Sequence, residues 1–172
     1  DVRKFESRTL FKSNVIWDKE QSLGHPFVMF YNAGEKGKPI ERIGMAVSDD
    51  MTTWTRYGQE PVIDNFKGIS GDPQITKIGK VWVMFYFGAI WKPKAFDTFA
   101  CSYDLVHWTK WEGDPQVTPT ESWEGGGVAH KPCVVKHNGV VYHFYGTGGG
   151  TNRCIALATS KNLKIETEKG NK

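Results

Sequence analysis

The run Val83-Met84-Phe85-Tyr86 has two counterparts along the chain, Phe27-Val28-Met29-Phe30-Tyr31 before it and Val141-Tyr142-His143-Phe144-Tyr145 after it. Runs rich in aromatic and β-branched residues are typical of β-strands. The corresponding phenylalanines lie 55 and then 59 residues apart. This spacing indicates a repeated structural unit built from strands.

A second marker follows each run within about twenty residues. It is a serine, any residue, an aspartate or asparagine, and then an apolar residue, at Ser48–Met51, Ser102–Leu105 and Ser160–Leu163. The three serines are 54 and 58 residues apart, so two independent markers give one period. Self-similarity near this length in a chain of short β-rich segments is typical of the four-stranded blades of a β-propeller.

The second repeat can be divided into strands, and the third follows the same pattern. Strands are predicted at Gly71–Ile78, Val81–Phe87, Thr98–Tyr103 and near His107, and again at Lys131–Val135, Val140–Tyr145 and Cys154–Thr159. Gly79-Lys80 and Asn138-Gly139 supply the hairpin turns. No segment has a sustained helical period. The fold class is therefore all-β, and the compound repeat favours a propeller over a sandwich.

The predicted blades span approximately residues 14–64, 65–120 and 121–165, within a single domain that covers residues 1–172. Closed propellers typically need at least four blades, so three blades leave the ring open. Either the chain is part of a larger protein, or another copy completes the ring, or the array stays open with covered edges. The first residue is Asp1 instead of Met, as expected of a processed product.

Charge and composition limit the classes of partner and the locations that are expected for the protein. The net charge of +3 is spread along the chain, which argues against a nucleic-acid partner. The apolar runs have the length of strands and are too short for membrane spans, and a secreted or periplasmic location is favoured. Cys101, Cys133 and Cys154 lack metal-site spacing and are predicted to be free thiols in the core. No cofactor is implied, although a lone structural cation near the axis fits the fold.

Two predicted strand openings carry the candidate chemistry, Gly71-Asp72-Pro73 and His130-Lys131-Pro132. The first strand of each propeller blade lines the central axis, so the openings of these strands converge. Proline is tolerated where a strand begins, because no ladder hydrogen bond is lost there. We therefore expect Asp72 and His130 to share one axial pocket, with their side chains within one bridging group of each other.

The blade-by-blade openings and the Asn-Gly-x-x-Tyr-x-Phe-Tyr strand pattern resemble the five-bladed propeller glycoside hydrolases, the group that contains families 43, 32 and 117. The resemblance covers residues 14 to 163. It implies that Asp72 tunes the site or stabilises the transition state, and that the residue aligned with His130 protonates the leaving oxygen. In most of these families that residue is a glutamate. Family 117 is thought to use a histidine, and a nearby carboxylate favours the protonated form of an imidazole.

The resemblance leaves two roles open. Glu124, in the loop Trp123-Glu124-Gly125-Gly126-Gly127, or Glu121 is an alternative proton donor. The families place a base or nucleophile at the opening of the first blade, but no carboxylate stands near Ser13-Asn14-Val15. Asp18 and Glu20 follow shortly afterwards, in a segment predicted to be an exposed hairpin turn.

Aromatic and basic residues outside the repeat supply candidate sugar contacts. Trp54 and Trp108 recur at the same place in successive repeats and are predicted to be buried between blades. Trp91 and Trp123 lie outside the pattern, where exposed rings are suited to line a glycan pocket. Lys131 and Arg153 are further candidates for contacts with sugar hydroxyls, together with Asn152.

The sequence thus predicts a glycosidase that hydrolyses an oligosaccharide or polysaccharide by acid–base chemistry, with His130 as donor and Asp72 orienting it or the sugar. The family resemblance favours direct attack by water. A propeller that binds glycans without cleaving them is the alternative, because the first-blade carboxylate is missing. A protein-interaction propeller is a third hypothesis, for which the sequence offers no dedicated groove.

Overall fold

The computed structural model describes residues 2–149 and 153–161. Eleven strands lie in these residues, joined by turns and two short 3-10 segments. The strands are β1 (Thr9–Trp17), β2 (Phe27–Gly34), β3 (Glu41–Ser48), β4 (Thr55–Arg56), β5 (Ile69–Ile78), β6 (Val81–Ala89), β7 (Phe96–Ser102), β8 (Thr109–Lys110), β9 (His130–His137), β10 (Val140–Thr147) and β11 (Cys154–Thr159).

These strands form three successive antiparallel blades, β1 to β4, β5 to β8 and β9 to β11. A single parallel pairing between Glu41 and Ile69 joins the first blade to the second. The all-β propeller prediction is confirmed, and the sheets within residues 2–149 and 153–161 do not close into a ring. The first blade begins at Thr9, before the predicted residue 14. The extent of the domain stays a prediction. No helix in the described part of the chain is long and apolar enough to cross a membrane.

The repeated Ser-x-Asp marker forms the same turn in the first two blades. In the second, the hydroxyl oxygen of Ser102 accepts the backbone N–H groups of Asp104 and Leu105, and the Asp104 carboxylate accepts those of the next two residues. Ser48 and Asp50 make the equivalent bonds in the first blade. The serine and aspartate recur in the sequence because their side chains close the turn between the third and fourth strands of these two blades. The third marker extends beyond the described residues from position 162 onward.

Replacing Ser102 with Ala is expected to lower the free energy of unfolding by about 1–3 kcal/mol, since two N–H groups lose their acceptor at a side chain that is 2% exposed. Urea unfolding followed by circular dichroism measures the loss. The matched control is Tyr103→Ala, one residue along the turn and 80% exposed, which is expected to change stability by less than about 0.5 kcal/mol. Equal losses in the two variants would contradict the turn assignment.

The main core lies between the first and second blades. Phe30 and Met45 from one side and Met84 and Tyr86 from the other are buried together. Trp108 packs edge-to-face on Phe30, with ring centroids 5.7 Å apart. The aromatic runs recognised in the sequence thus form the contact between blades.

Trp54 occupies the same turn position as Trp108, but its surroundings differ. Each indole N–H donates to the carbonyl three residues earlier, that of Met51 or Leu105. Trp54 is partly buried on the outer face of the first blade, against the cluster around Tyr31. The two tryptophans are equivalent as predicted, but only Trp108 lies between two of the described blades.

Side-chain amides connect the innermost strands. The carbonyl oxygen of Asn14 on β1 accepts the backbone N–H of Ile75 on β5 at 2.8 Å. The side chain of Gln74 on β5 does the same for Val134 on β9 at 3.0 Å. Asn14 and Gln74 are equivalent, because each pairs with the phenylalanine of its blade's aromatic run. One amide from each of the first two blades therefore sets the register between neighbouring innermost strands.

Two cysteines of the third blade are exposed, so the prediction that they lie in the core is wrong. Cys133 and Cys154 are exposed free thiols, whereas Cys101 is half-buried. Cys133 lies on the same face as Phe144 and Leu157, which are 36% and 46% exposed, whereas Cys154 begins β11, at the edge of the described sheet. The prediction assumed that both faces of every strand are covered, but no described blade packs on this one.

Candidate active site

The innermost strands of the second and third blades open with β-bulges. Pairing of β5 with β6 shifts between Gly71 and Gln74, and pairing of β9 with β10 shifts next to His130. The bulged residues Asp72 and Lys131 both have left-handed backbones, with φ of 52° and 58°. A bulge bends its strand and re-aims the side chains, and non-glycine residues seldom adopt positive φ. The two predicted openings therefore share one uncommon geometry.

Asn32 on β2 connects the first blade to the opening of the second. Its side-chain oxygen accepts the backbone N–H of Asp72, and its amide lies so close to Gly71 that a Cβ there would collide with it. Asp72 is 7% exposed, so the contact holds a largely buried residue in place. Glycine precedes Asp72 because no larger residue leaves room for this amide.

Replacing Gly71 with Ala is therefore expected to cost about 1–3 kcal/mol of unfolding free energy, as overpacking does in well-packed interiors. Chemical denaturation measures the cost. The double variant Gly71→Ala/Asn32→Ala removes the group that collides with the new methyl, so its loss should be smaller than the sum of the two single losses. Strictly additive losses would show that Asn32 is not the neighbour that excludes a side chain at this position.

Glu41, at the start of β3, is a carboxylate that sequence reasoning missed. Its Oε2 accepts a long hydrogen bond of 3.5 Å from Nδ2 of Asn32, and its Oε1 lies 3.9 Å from the guanidinium of Arg8. Burial raises the pKa of Glu41; Arg8 opposes the shift, and the charge of Asp72 reinforces it. A carboxyl group with a raised pKa is suited to donate a proton. No motif marks Glu41, because it reaches the second blade from the third strand of the first.

The bulge of β1 carries Lys12 where the glycosidase pattern places a carboxylate. Partial loss of solvation lowers the pKa of Lys12, while the charges of Asp72 and Asp97 raise it and that of Lys131 lowers it. Lys12 lies in the bulge of β1, and β1 packs directly against β5, the innermost strand of the second blade. No Asp or Glu occurs among the residues of β1.

His130 is held by its own blade. Its Nδ1 lies 2.9 Å from the carbonyl oxygen of Gly146, so Nδ1 carries the proton and Nε2 is the nitrogen left for other partners. Phe87 packs against the ring at a centroid distance of 6.0 Å. The two openings lie on adjacent innermost strands, because β9 packs against β5 and the Gln74 side chain bonds to Val134. Their approach to within one bridging group stays a prediction.

Neither a protein-family model nor a curated protein matches the chain, but solved structures do. A structure named as an RGII complex of BT0996 is 47% identical, with a TM-score of 0.88, and the match covers 95% of this chain and 49% of that one. A structure named Glycoside hydrolase is 44% identical, with a TM-score of 0.88, covering 100% of this chain and 51% of that one. This chain resembles the propeller glycoside hydrolases.

The likeness extends to more distant glycoside hydrolases. A thermostable family-43 enzyme is 20% identical, with a TM-score of 0.69, covering 87% of this chain and 50% of that one, and this match supports the fold alone. The chain spans about half the length of the two most similar structures reported above. Three blades of a longer propeller are consistent with that span.

Glu124, the alternative donor of the glycosidase pattern, is bound on both carboxylate oxygens. Oε2 accepts the backbone N–H groups of Thr120 and Glu121, and Oε1 accepts the hydroxyl of Tyr145, all at 2.7 Å. Burial acts to raise the pKa of Glu124, but these hydrogen bonds outweigh it and the pKa lies below its usual value. An ionised carboxylate held in this way favours a structural role over proton donation. Glu121 itself is exposed.

The candidate sugar-binding tryptophans differ from each other. Trp91 is half-buried instead of exposed, because its ring packs edge-to-face on Phe96 at 4.7 Å and its indole N–H donates to the carbonyl of Ile69 at 2.8 Å. Trp123 is 56% exposed in the glycine-rich loop, as expected for a ring that meets a ligand. The prediction of an exposed indole is wrong for Trp91.

The remaining candidates lie at the surface or in turns. Lys131 and Arg153 are exposed, and Asn152 lies outside the described residues. Asp18 is buried, contrary to expectation, because its carboxylate accepts the N–H groups of Glu20 and Ser22 and closes the turn after β1. Among residues 2–149 and 153–161, no group of three His, Cys, Asp or Glu side chains is placed to hold a metal ion.

Proposed function

We propose that this chain carries part of the active site of a glycoside hydrolase that cleaves a glycosidic bond by acid–base hydrolysis. The observation that carries the proposal is the gathering of ionisable side chains at the openings of the innermost strands. They come from all three blades: Lys12, Asp72, His130 and Lys131 lie in or beside the bulges, and Glu41 bonds to the Asn32 side chain that holds Asp72. The likeness of the chain to glycoside hydrolases at 44–47% identity supplies the reaction class.

Four of these groups have a role in this proposal. Asp72 orients the sugar ring or the donor, and His130 or Glu41 protonates the leaving oxygen. Glu41 suits that role because burial raises its pKa, and His130 suits it because its Nε2 is available. Direct attack by water requires an acid and base about 6.5–9.5 Å apart, and a covalent route about 5–5.5 Å. Lys131, Trp123 and Arg153 contact the substrate.

The substrate in this proposal is an oligosaccharide or polysaccharide. One of the similar structures is named as a complex with RGII, which makes that carbohydrate the first substrate to test. Lys12 and Lys131 put two cationic groups beside Asp72 at the site. The exposed ring of Trp123 suits the apolar face of a sugar.

Product detection tests the activity. The protein is incubated with RGII oligosaccharides and with a panel of aryl glycosides, and released sugars are separated by chromatography. Release of one sugar by the native protein, together with its loss in Glu41→Gln or His130→Ala, supports hydrolysis and identifies the donor. Absence of product from every substrate, with the fold intact, would contradict the enzyme proposal.

Binding without cleavage is the second candidate, and Lys12 favours it. A cation stands at the first-blade opening, where the glycosidase pattern needs a base. Calorimetry with RGII oligosaccharides separates the two functions, because a binding propeller gives a saturable heat and no product. Saturable binding that persists in Asp72→Asn without any turnover would favour this candidate.

Completion of the ring by a second copy, one of the alternatives open from the sequence, remains a proposal. Exposed apolar side chains on the outer faces of the first and third blades suit such a contact, among them Leu10, Phe11, Phe144 and Leu157. The molar mass in solution, measured by light scattering, distinguishes a monomer from a dimer.

A further inference from the structure

The two contacts between successive blades differ at one pair of positions. Ile43 and Asp97 are equivalent, because each lies in the third strand of its blade and forms an isolated bridge to a later segment, at Ile63 and Val117. Met84 and His143 are likewise equivalent, because each directly precedes the phenylalanine of its blade's aromatic run. The contact between the first and second blades therefore has Ile43 and Met84 where the next contact has Asp97 and His143.

All four side chains are buried. Ile43 and Met84 are fully buried in the core cluster. Asp97 is 0% exposed and His143 is 7% exposed. The Nε2 of His143 lies 3.0 Å from Oδ2 of Asp97. The contact between the first and second blades thus has two apolar side chains at these positions, and the contact between the second and third blades has a buried carboxylate–imidazole pair.

Stability does not explain the replacement. A buried ion pair loses the solvation of both groups, and well-packed apolar residues in its place are often equally or more stabilising. Within the described residues, Oδ1 of Asp97 has no hydrogen-bond partner. A buried polar atom without a partner adds a further cost. The chain itself shows, at Ile43 and Met84, that an apolar pair fits this position of the fold.

The pair lies among the charges of the candidate site. Three side chains affect the pKa of Asp97: His143 on β10, His130 on β9 and Asp72 on β5. Burial raises the pKa of Asp97; the hydrogen bond and charge of His143 and the charge of His130 oppose the shift, and the charge of Asp72 adds to it. Lys12, on β1, is also influenced by Asp97. Asp97 also pairs across β7 and β6 with Phe87, whose ring packs on His130, so the buried carboxylate lies close to the opening of β9.

We infer that Asp97 and His143 are positioning residues of the proposed active site. The buried carboxylate of Asp97 sets the charge beside the openings of β5 and β9. The pair has this function although an apolar pair would be equally or more stabilising. The inference rests on the proposed function for its catalytic consequence. Neither residue lies at an opening of an innermost strand, so neither is assigned a contact with the substrate.

The decisive variant exchanges one contact for the other. Asp97→Ile/His143→Met places in the second contact the residues that the chain already uses in the first. The variant is expected to keep its circular dichroism spectrum and to melt at the native temperature or above at neutral pH. Turnover of the substrate is expected to fall about 10²-fold through kcat, because the groups at the openings are misplaced or carry the wrong charge. Saturable binding of the oligosaccharide should persist.

Two readouts do not depend on activity. In the native protein, carboxyl ¹³C spectra should show Asp97 titrating above its usual value of 3.8, and His130→Gln should move that titration further upward. The folded state then holds the Asp97 proton more tightly than the unfolded state does. Stability of the native protein relative to the exchanged variant should therefore fall as the pH rises from 3.8 through the raised pKa.

The outcomes separate the two proposals. Full turnover in the exchanged variant would overturn the positioning role and leave the glycosidase proposal standing. If the native protein turns over no substrate, the titration decides: an Asp97 signal that does not respond to His130→Gln would overturn the coupling as well. A stability loss in the exchanged variant as large as that of a core deletion would show that the pair serves the fold alone.

Discussion

Asp72→Asn and His130→Ala are each expected to lower kcat/KM for the oligosaccharide by about 10²- to 10⁴-fold, the usual contribution of a positioned acid or base. Asp72→Asn keeps the size of the side chain and the backbone bond to Asn32, so the fold should be unchanged. His130→Ala removes the bond to Gly146 and the packing on Phe87, so its stability must be measured alongside its rate.

The pH dependence of the remaining activity identifies the proton donor. A donor must be protonated to act, so the native rate should fall as the pH rises through the donor's pKa. If Glu41 is the donor, Glu41→Gln abolishes that descending limb, whereas His130→Ala lowers the rate and leaves the limb in place. Lys80→Ala, in the exposed hairpin turn between β5 and β6, is the control for replacing an exposed basic residue away from the site. Variants of Asp72 and His130 that both keep full activity would refute the site assignment.

Trp108→Ala is expected to destabilise the fold by about 3 kcal/mol, because it removes the edge-to-face contact with Phe30 and opens a cavity between two blades. Trp54→Ala is the matched control at the equivalent turn position, and it should cost only about 1–2 kcal/mol because the ring lies on an outer face. Thermal unfolding of the two variants measures the difference. A larger loss for Trp54 would mean that its outer face is covered in solution.

The stability loss expected for Trp91→Ala differs between the sequence and the structure. The sequence predicted that Trp91 is exposed. Replacing an exposed tryptophan would cost little stability. The structure places its ring against Phe96 and its N–H on Ile69. A measurable stability loss is therefore expected for Trp91→Ala as well, while Trp123→Ala should affect ligand binding with little change in melting temperature.

Local chemistry made the blades predictable. Asn138 and Gly139 have φ of 47° and 73°, as a two-residue hairpin turn requires, and β11 has its predicted bounds. The repeated serine and aspartate pointed to turns because their side chains bond to backbone N–H groups only a few residues away. In each of these cases the interacting atoms are close in sequence, so a single chain reveals them.

The site was only partly predictable, because its decisive contacts join different blades. Asp72 was found through its proline, which marks where a strand opens. Glu41 was missed because it reaches Asp72 through Asn32, from another strand of another blade. The pairing of Asp97 with His143 spans 46 residues and leaves no local pattern. Cys133 was misplaced for a related reason, since burial depends on a neighbour that its own segment does not specify.

The amide contacts made by Asn14 and Gln74 have a consequence for protein engineering. They set neighbouring blades in register beside the axis, far from the connections at the rim. Segments such as the turn at Gly79-Lys80 can therefore be lengthened, or made to display a foreign peptide, without shifting the groups around Asp72. By contrast, adding or deleting one residue between Asn14 and Trp17, or between Gln74 and Ile78, would turn alternate side chains to the opposite face of the innermost strand and dismantle the site.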